Sequence, residues 1–389
     1  MLRRSPRVLI ISASIGGGHV ACGNALATAF TDVGAEVSHV DLLEYTALPF
    51  RRLYRQAYFD LVRNAPDLVE WLGRRMDRKP SETYTVQKRL RSRVNRLLTY
   101  ALPATIDRFK PDVLVHTHFL GPEIVAGRMR RRAPLPQVEV ITDFFAHSLW
   151  LQPRVARYFV ATEEVRVHLL SAGVDESRVR VTGIPIDGRF AQLPQRATAR
   201  QLLGLDQDRD VLLLMAGGLD APDLVALMKQ LRTLTWPLTA VVICGRSTEL
   251  QRVATAAAAE APGPVQFKVH GLVDDIPVQM AAADVMVSKP GGMTTSEALA
   301  AELPLLLVSP YPLQEEANAN VLLENGAALR IDPLSTFNHK LRRLLDDEEH
   351  LARMRSAAST LARPTAAADV VQQVLDELVP RANDPARTP

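Results

Sequence analysis

The sequence has few cysteines, few aromatic residues and no long apolar run. Two of its 389 residues are cysteine, Cys22 and Cys244, and aromatic residues make up 5% of the composition. Two cysteines cannot build a disulfide framework, so we expect a reducing compartment. The apolar runs at 211–216 and 303–308 are far shorter than the roughly 18 residues that a membrane-spanning helix needs. These features exclude a small disulfide-rich protein and predict no transmembrane helix.

What is present is typical of a soluble globular protein. Apolar residues account for 47% of the chain and charged residues for 23%, with a net charge of +3. At roughly 150 residues per domain, this length predicts two domains, each large enough for its own core.

Positive charge is concentrated in the first half of the chain. Residues 1–150 carry 22 basic and 14 acidic side chains, and 51–110 alone carries 15 basic and 6 acidic side chains.

The segment 84–102 has the pattern of an amphipathic helix. The apolar residues that recur at helical spacing are Val86, Leu90, Val94, Leu97 and Ala101. The basic residues that occupy much of the remaining circumference are Lys88, Arg89, Arg91, Arg93 and Arg96. Such a helix can rest on anionic lipid. Nucleic acid is not an expected partner, because the aromatics follow helical spacing and form no stacking sheet. The alternative is an ordinary packed helix with a solvated basic face.

Short apolar runs alternate with amphipathic segments along the chain, which predicts parallel strands covered by helices. The runs are residues 7–12, 36–41, 112–118, 138–143, 157–162, 211–218, 238–245, 266–271, 285–289 and 304–310. A polar segment after Phe190 separates two groups of five. We therefore predict an α/β chain with two Rossmann-like, doubly wound domains, 1–190 and 191–363. A last helix at 364–379 and a disordered tail at 380–389 would follow.

Each half begins with a strand, a glycine cluster and a helix. The clusters are residues 16–18, followed by His19, and residues 217–218. Glycine lets the backbone approach a ligand closely, and a helix start presents unpaired N–H groups to anions. Neither cluster has the G-x-G-x-x-G spacing, and the Walker pattern is absent, which disfavours a nicotinamide-dinucleotide site and a P-loop. Glycines that only form tight turns are the alternative interpretation.

Four collinear segments carry a resemblance to a known family. They are GGGH at 16–19, VITDFFAHSLW at 140–150, VTGIPIDGRF at 181–190, and 271–328, which includes SKPGGMTTSEALAAELPLLLVS. Together they resemble the diacylglycerol glycosyltransferases, meaning the monogalactosyldiacylglycerol synthases and processive glucosyltransferases. They also resemble the related N-acetylglucosaminyltransferase that completes the peptidoglycan lipid precursor. The resemblance covers most of residues 7–330.

The resemblance implies the GT-B fold, with two Rossmann-like domains facing a cleft. Domain 1–190 would bind the acceptor and the membrane, 191–363 would bind the donor, and the helix at 364–379 would pack back onto the first domain. The implied activity is transfer of galactose or glucose, with inversion, from UDP-galactose or UDP-glucose to diacylglycerol. The enzyme would be cytoplasmic and peripheral on the inner face of the cell membrane. Alternatives are another lipid-linked acceptor, a GT-B nucleotide-sugar epimerase, or a non-catalytic lipid-binding protein.

The resemblance also implies a donor site in the second half. Glu297, at the start of a helix expected at 296–301, would accept both ribose hydroxyls, and the backbone of Val273 would read the uracil edge. Gly217, Gly218 and the helix beginning near Thr294 would bind the diphosphate. The sugar would face Gln314, Glu315 and Asn318.

Each of these residues also has an interpretation that does not depend on the family. Glu297 could complement a helix dipole, and Val273 could simply end a strand. Gln314, Glu315 and Asn318 could form a solvated helix start.

His19 is the candidate general base, because an inverting transfer needs a group that removes the acceptor's proton. A histidine that caps the helix and touches phosphate is the alternative. Asp143 and His147 could orient this base or replace it, although an Asp at a strand end is often only a helix cap. Residues expected along the acceptor side are Gly17, Gly18, His118, His147 and Trp150.

Two short patterns could in principle bind a metal. Asp206 and Asp208 have the D-x-D spacing but precede a strand in a polar turn, and His116 and His118 lack an evident third ligand. We expect no metal and no cofactor, with the UDP-sugar acting as a substrate.

Overall fold

The computed structural model describes residues 4–46, 102–128, 135–152, 154–260, 263–308 and 314–379. Residues 84–101 of the predicted amphipathic helix and the tail at 380–389 lie outside the described residues. The described residues divide into two compact units. One comprises those within 1–188, Gln314 and those within 365–379, and the other those within 189–308 and 315–364.

In the first unit, the described residues form a six-stranded parallel sheet with the order β2-β1-β3-β4-β5-β6. The strands are β1 Arg7–Ser12, β2 Glu36–Asp41, β3 Val113–His116, β4 Gln137–Val140, β5 Arg157–Val160 and β6 Val179–Val181. The helices are α1 Gly18–Asp32, α2 Leu102–Phe109, α3 Leu120–Arg128 and α4 Glu163–Ser171. The central strands are buried on both faces, as their continuous apolar runs predict.

The last helix of the chain, α13 (Ala366–Glu377), belongs to this first unit. It packs against α1 and buries Val370, Val371 and Val374. Its last residue, Glu377, forms ion pairs with Arg157 at 2.6 Å and with Arg180 at 3.3 Å. The apolar face and the ion pairs together attach α13 to β5, β6 and α1.

The second unit also contains, among its described residues, a six-stranded parallel sheet. Its order is β12-β11-β10-β7-β8-β9, and its strands are β7 Asp210–Met215, β8 Leu238–Ile243, β9 Val265–His270, β10 Val285–Ser288, β11 Leu305–Leu307 and β12 Ala328–Arg330. Counted from β7, this is the strand order of dinucleotide-binding Rossmann domains. Its helices are α5 Arg196–Leu202, α6 Ala221–Arg232, α7 Thr248–Ala259, α8 Ile276–Ala282, α9 Gly292–Ala300, α10 Gln314–Glu324, α11 Phe337–Leu345 and α12 Glu348–Leu361.

All ten apolar runs of the sequence contain strands, and β6 and β12 are additional strands of three residues each. The sequence prediction of two doubly wound α/β sheets is confirmed. No helix within the described ranges is both long and apolar enough to cross a bilayer.

A buried ion-pair cluster stabilises the second unit around Asp284, which lies just before β10. One carboxylate oxygen accepts hydrogen bonds from Arg200 Nη2 at 2.5 Å and from the backbone N–H of Val211 at 2.8 Å. The other oxygen accepts from Arg196 Nη1 at 2.8 Å. The side chains of Arg200 and Asp284 are only 8% and 7% exposed, so neither charge has water as a substitute partner.

We predict that Asp284→Ala lowers the free energy of unfolding by about 3–5 kcal/mol, because it leaves the buried Arg200 guanidinium without its counterion. Asp346→Ala removes an exposed ion pair with Arg342 and should cost less than about 1 kcal/mol. Urea unfolding measures both values. Equal losses for the two variants would contradict the assignment.

Candidate active site

The turn between β1 and α1 positions His19. Gly16 has a φ of +78°, a left-handed conformation that favours glycine. Gly17 is the N-cap of α1, Gly18 begins the helix, and His19 is its second residue. A Cβ placed on Gly17 would have no atom within 4 Å. The protein itself therefore does not require glycine at this position, and the open space can admit a substrate group.

Two threonines hold the imidazole of His19. Its Nδ1 lies 2.7 Å from the backbone carbonyl oxygen of Thr117 and 2.9 Å from Oγ1 of Thr142. Since a carbonyl oxygen can only accept, Nδ1 carries the proton. His19 is partly exposed, but protein surrounding its ring lowers its pKa to about 4, even though the Thr117 bond acts in the opposite direction. At neutral pH the ring is therefore uncharged, and Nε2 has a lone pair that can accept a proton.

The backbone of His19 is held as well. Its carbonyl oxygen accepts from Thr117 Oγ1 at 2.9 Å and from Ser12 Oγ at 3.2 Å. Ser12 Oγ also lies 2.7 Å from His39 Nε2, and His39 Nδ1 lies 2.9 Å from Asn24 Oδ1. This hydrogen-bonded chain connects α1 to β1, β2 and the residue after β3, so the position of His19 is fixed by several elements.

Aromatic rings surround the imidazole of His19. The His118 ring meets it edge-on at a centroid distance of 4.6 Å, and the Trp150 ring lies 6.4 Å away. Phe119 stacks on His118 at 4.2 Å, and His147 lies 5.1 Å from Phe119 and 6.0 Å from Trp150. Burial, and then the neighbouring His19 and His147, lower the pKa of His118 well below its ordinary value. The structure thus brings His19, His118, His147 and Trp150 together in one cluster of rings.

Sequence reasoning missed Thr117, Thr142 and Phe119. The sequence suggested that Asp143 or His147 orients the base, whereas the Nδ1 contacts seen here are those of Thr117 and Thr142. Asp143 follows Thr142 directly and is half-buried, and its role remains a prediction. The sequence offered two signals for these threonines: Thr142 precedes Asp143, and Thr117 lies between two histidines.

In the second unit, Gly217 and Gly218 lie in a single 3₁₀ turn, Ala216–Gly218, directly after β7. A Cβ on Gly217 would lie 3.8 Å from the nearest atom, and a Cβ on Gly218 would lie 3.7 Å from Lys289 Cδ. Both are ordinary contacts, so packing alone would accept alanine at either position. Glycine here leaves the backbone N–H groups of the turn open to a ligand.

The structure corrects the predicted position of Glu297. Helix α9 begins at Gly292, with Gly291 as its N-cap, not at 296 as the sequence suggested. Glu297 is therefore near the middle of α9, and no acidic residue lies in the first turn. The alternative that Glu297 complements the helix dipole is wrong for this reason. Thr294 and Glu297 are half-buried neighbours on one accessible stripe of α9.

Helix α10 begins at Gln314, and the three residues predicted to face the sugar differ in their surroundings. Gln314 and Glu315 are half-buried in the first turn. Asn318 is fully buried, and its Nδ2 donates to the carbonyl oxygen of Pro290 at 2.9 Å. Asn318 therefore connects α10 to the turn before α9, which excludes the interpretation of all three as a solvated helix start. Val273 lies half-buried in the loop between β9 and α8.

The two patterns considered for metal binding make other contacts. Asp206 Oδ1 accepts from the backbone N–H of Asp208 at 3.0 Å, as in a capped solvated turn. His116 Nε2 lies 3.1 Å from Gln137 Oε1, and His118 Nδ1 accepts from the backbone N–H of Leu120 at 3.2 Å. Across the part of the chain that the structure describes, no three His, Cys, Asp or Glu side chains are grouped to hold a metal.

Comparisons with known proteins match both units. Residues 19–186 match the family model described as monogalactosyldiacylglycerol (MGDG) synthase, and residues 200–360 match glycosyl transferases group 1. Among solved structures, Acinetobacter baumannii MurG has a TM-score of 0.63 at 18% identity, covering 96% of this chain and 100% of that one. A Staphylococcus aureus MnaA–UDP co-structure has a TM-score of 0.64 at 15% identity, covering 99% and 100%. These likenesses establish the GT-B fold.

Curated relatives share more of the sequence. The processive diacylglycerol beta-glucosyltransferase of Bacillus subtilis (strain 168) is 32% identical over 280 residues, 70% of each chain. The enzyme of the same name from Bacillus mycoides (strain KBAB4) is 30% identical over 392 residues, covering 96% of this chain and 94% of that one. With both units matched in chain order, this chain belongs to the diacylglycerol glycosyltransferase family and is a glycosyltransferase.

Proposed function

We propose that this enzyme transfers glucose from UDP-glucose to the primary hydroxyl of diacylglycerol, with inversion at the sugar's C1. The observation that carries the proposal is the imidazole of His19, whose Nδ1–H is held by the Thr117 carbonyl so that Nε2 can act as a base. Glucose is chosen over galactose because the curated relatives are named as glucosyltransferases. UDP is chosen as the nucleotide because one protein of the same fold was solved with it.

The proposed reaction is a single displacement. The acceptor oxygen attacks C1, its proton passes to Nε2 of His19, and the bond between C1 and the diphosphate oxygen breaks with its electron pair leaving on UDP. Nucleotide hexoses of this kind are α-linked, so one displacement yields the β-linkage that the relatives' names state. A neutral base is needed at the moment of attack, and the lowered pKa of His19 keeps the ring neutral at cytosolic pH. The surrounding aromatic rings suit an apolar acceptor.

The donor is proposed to bind the second unit. Glu297 and Thr294 lie together on the accessible stripe of α9, where the carboxylate can accept both ribose hydroxyls. The open backbone of Gly217 and Gly218 and the N-terminus of α9 would stabilise the diphosphate without a metal. Gln314 is proposed to contact the sugar, and the backbone of Val273 to contact uracil.

The acceptor is a membrane lipid, so we propose that the enzyme works on the inner face of the cell membrane. The support is the basic excess of 51–110, 15 basic against 6 acidic side chains. Each basic group near an anionic surface contributes about 1 kcal/mol to binding.

The direct test supplies the purified chain with radiolabelled UDP-glucose or UDP-galactose and vesicles that contain diacylglycerol. We expect a β-glucosyl lipid, formed faster on anionic than on neutral vesicles because recruitment raises the local enzyme concentration. Lipid chromatography and a linkage-specific glucosidase identify the product. Release of a free epimerised sugar nucleotide, or hydrolysis without lipid product, would reject the proposal.

The catalytic role of His19 is tested by His19→Gln, with His339→Gln as the control because His339 is exposed on α11. We expect single-turnover transfer at saturating UDP-glucose to fall by about two to four orders of magnitude in the first variant. UDP affinity should change by less than about twofold, because proton removal matters only during attack. A folded His19→Gln enzyme within about threefold of the parent rate would move the base role to Asp143.

A further inference from the structure

A buried lysine lies at the carboxyl end of β10, where the sequence and the proposal above assign no role. Lys289 follows β10 directly and is 7% exposed. Its carbonyl oxygen accepts from the backbone N–H of Gly291 and from Ser288 Oγ, both at 2.9 Å. These bonds fix the backbone at the point from which the side chain starts. A lysine is rarely buried to this extent unless a negative charge accompanies it.

The sheet topology gives this position a meaning. Strands β7 and β10 are adjacent in the second sheet, and the chain order reverses between them. In open α/β sheets, ligands bind outside the carboxyl ends of the strands at this reversal. The turn of Gly217 and Gly218 follows β7, and Lys289 and the start of α9 follow β10. All these groups therefore lie at the one edge where a nucleotide would bind.

The side chain of Lys289 reaches the glycine turn. Its Cδ lies 3.7 Å from the point that a Cβ on Gly218 would occupy. Its Nζ lies 3.7 Å from Oε2 of Glu315, in the first turn of α10. The neighbouring Glu316 pairs instead with Arg330, at 2.7 Å. The ammonium group thus forms an ion pair with the Glu315 carboxylate beside the exposed glycine turn.

A cation in these surroundings suits a diphosphate. A diphosphate carries more negative charge than the neutral N–H groups of one turn and one helix N-terminus can balance. A buried cation interacts with this charge more strongly than a solvated cation does. Charge-assisted hydrogen bonds from lysine to phosphate are among the stronger ones in proteins. The same cation stabilises the charge that appears on UDP when the bond to C1 breaks.

We propose that Lys289, which pairs with Glu315, binds the diphosphate of the nucleotide donor and stabilises the departing UDP. The inference rests on the proposed donor site and adds to it the charged group that recognises phosphate. Diphosphate recognition by Lys289 is separable from ribose recognition by Glu297, because uridine has the ribose and lacks the phosphates.

The test measures UDP and uridine affinity by calorimetry for the full chain and its variants. We expect Lys289→Met to weaken UDP binding by about 10- to 100-fold while uridine affinity stays within about twofold. Lys289→Arg, which keeps the charge, should recover part of the UDP affinity. The control Lys229→Met, at an exposed lysine of α6, should change neither affinity. Glu297→Ala should weaken both ligands by similar factors.

The outcomes separate the two proposals. If Lys289→Met binds UDP as the parent does, or loses UDP and uridine by the same factor, the inference about Lys289 is overturned while the donor site stands. If the parent chain binds neither UDP nor uridine, or Glu297→Ala changes neither, the proposed donor site itself fails. Uridine binding by Lys289→Met also shows that the variant is folded.

Discussion

The hydrogen bond between Nδ1 of His19 and the backbone carbonyl of Thr117, 2.7 Å long, is the interaction on which the chemistry proposed for the first unit depends. It joins the start of α1, after β1, to the residue that follows β3. These two strands are adjacent in the sheet although β2 lies between them in sequence. The bond therefore crosses the point where the chain order reverses, and it sets both the orientation and the tautomer of the ring. Burial supplies the remaining condition, because it keeps the ring neutral.

In the proposed mechanism, the second unit uses the corresponding edge of its sheet for different chemistry. Where the first unit places a neutral base between β1 and β3, the second places a glycine turn, a buried cation and a helix N-terminus between β7 and β10. The residue types follow from the two tasks. A proton acceptor must be uncharged before it acts, whereas the site of a leaving diphosphate needs positive charge and exposed N–H groups. In the proposed mechanism, one supersecondary arrangement thus serves both the proton acceptor and the leaving diphosphate.

The sequence predicted the architecture well because parallel strands that are buried on both faces read as continuous apolar runs. Strands β6 and β12 escaped this pattern because each has three residues of which one is an arginine, whereas the equally short β11 lies within a continuous apolar run. The sequence predicts a start for α9 near 294–296, two to four residues late, whereas the helix begins at Gly292 with Gly291 as its N-cap. The run at 138–143 was expected to be a strand throughout, but β4 ends at Val140. The chain leaves the sheet there, and Thr142 contacts His19 instead. The Thr117 contact could not be predicted from residue types at all, because a backbone carbonyl makes it.

The proposed mechanism requires a neutral His19 that carries its proton on Nδ1 and has a lone pair on Nε2 that can accept a proton. The most direct test is nitrogen NMR of histidine-labelled protein, with the His19→Gln spectrum used to assign the resonance. We expect the Nδ1–H tautomer at neutral pH and no protonation of the ring until the pH approaches about 4, the value to which burial lowers its pKa. An Nε2–H tautomer, or a titration midpoint near the ordinary histidine value of 6.5, would contradict it.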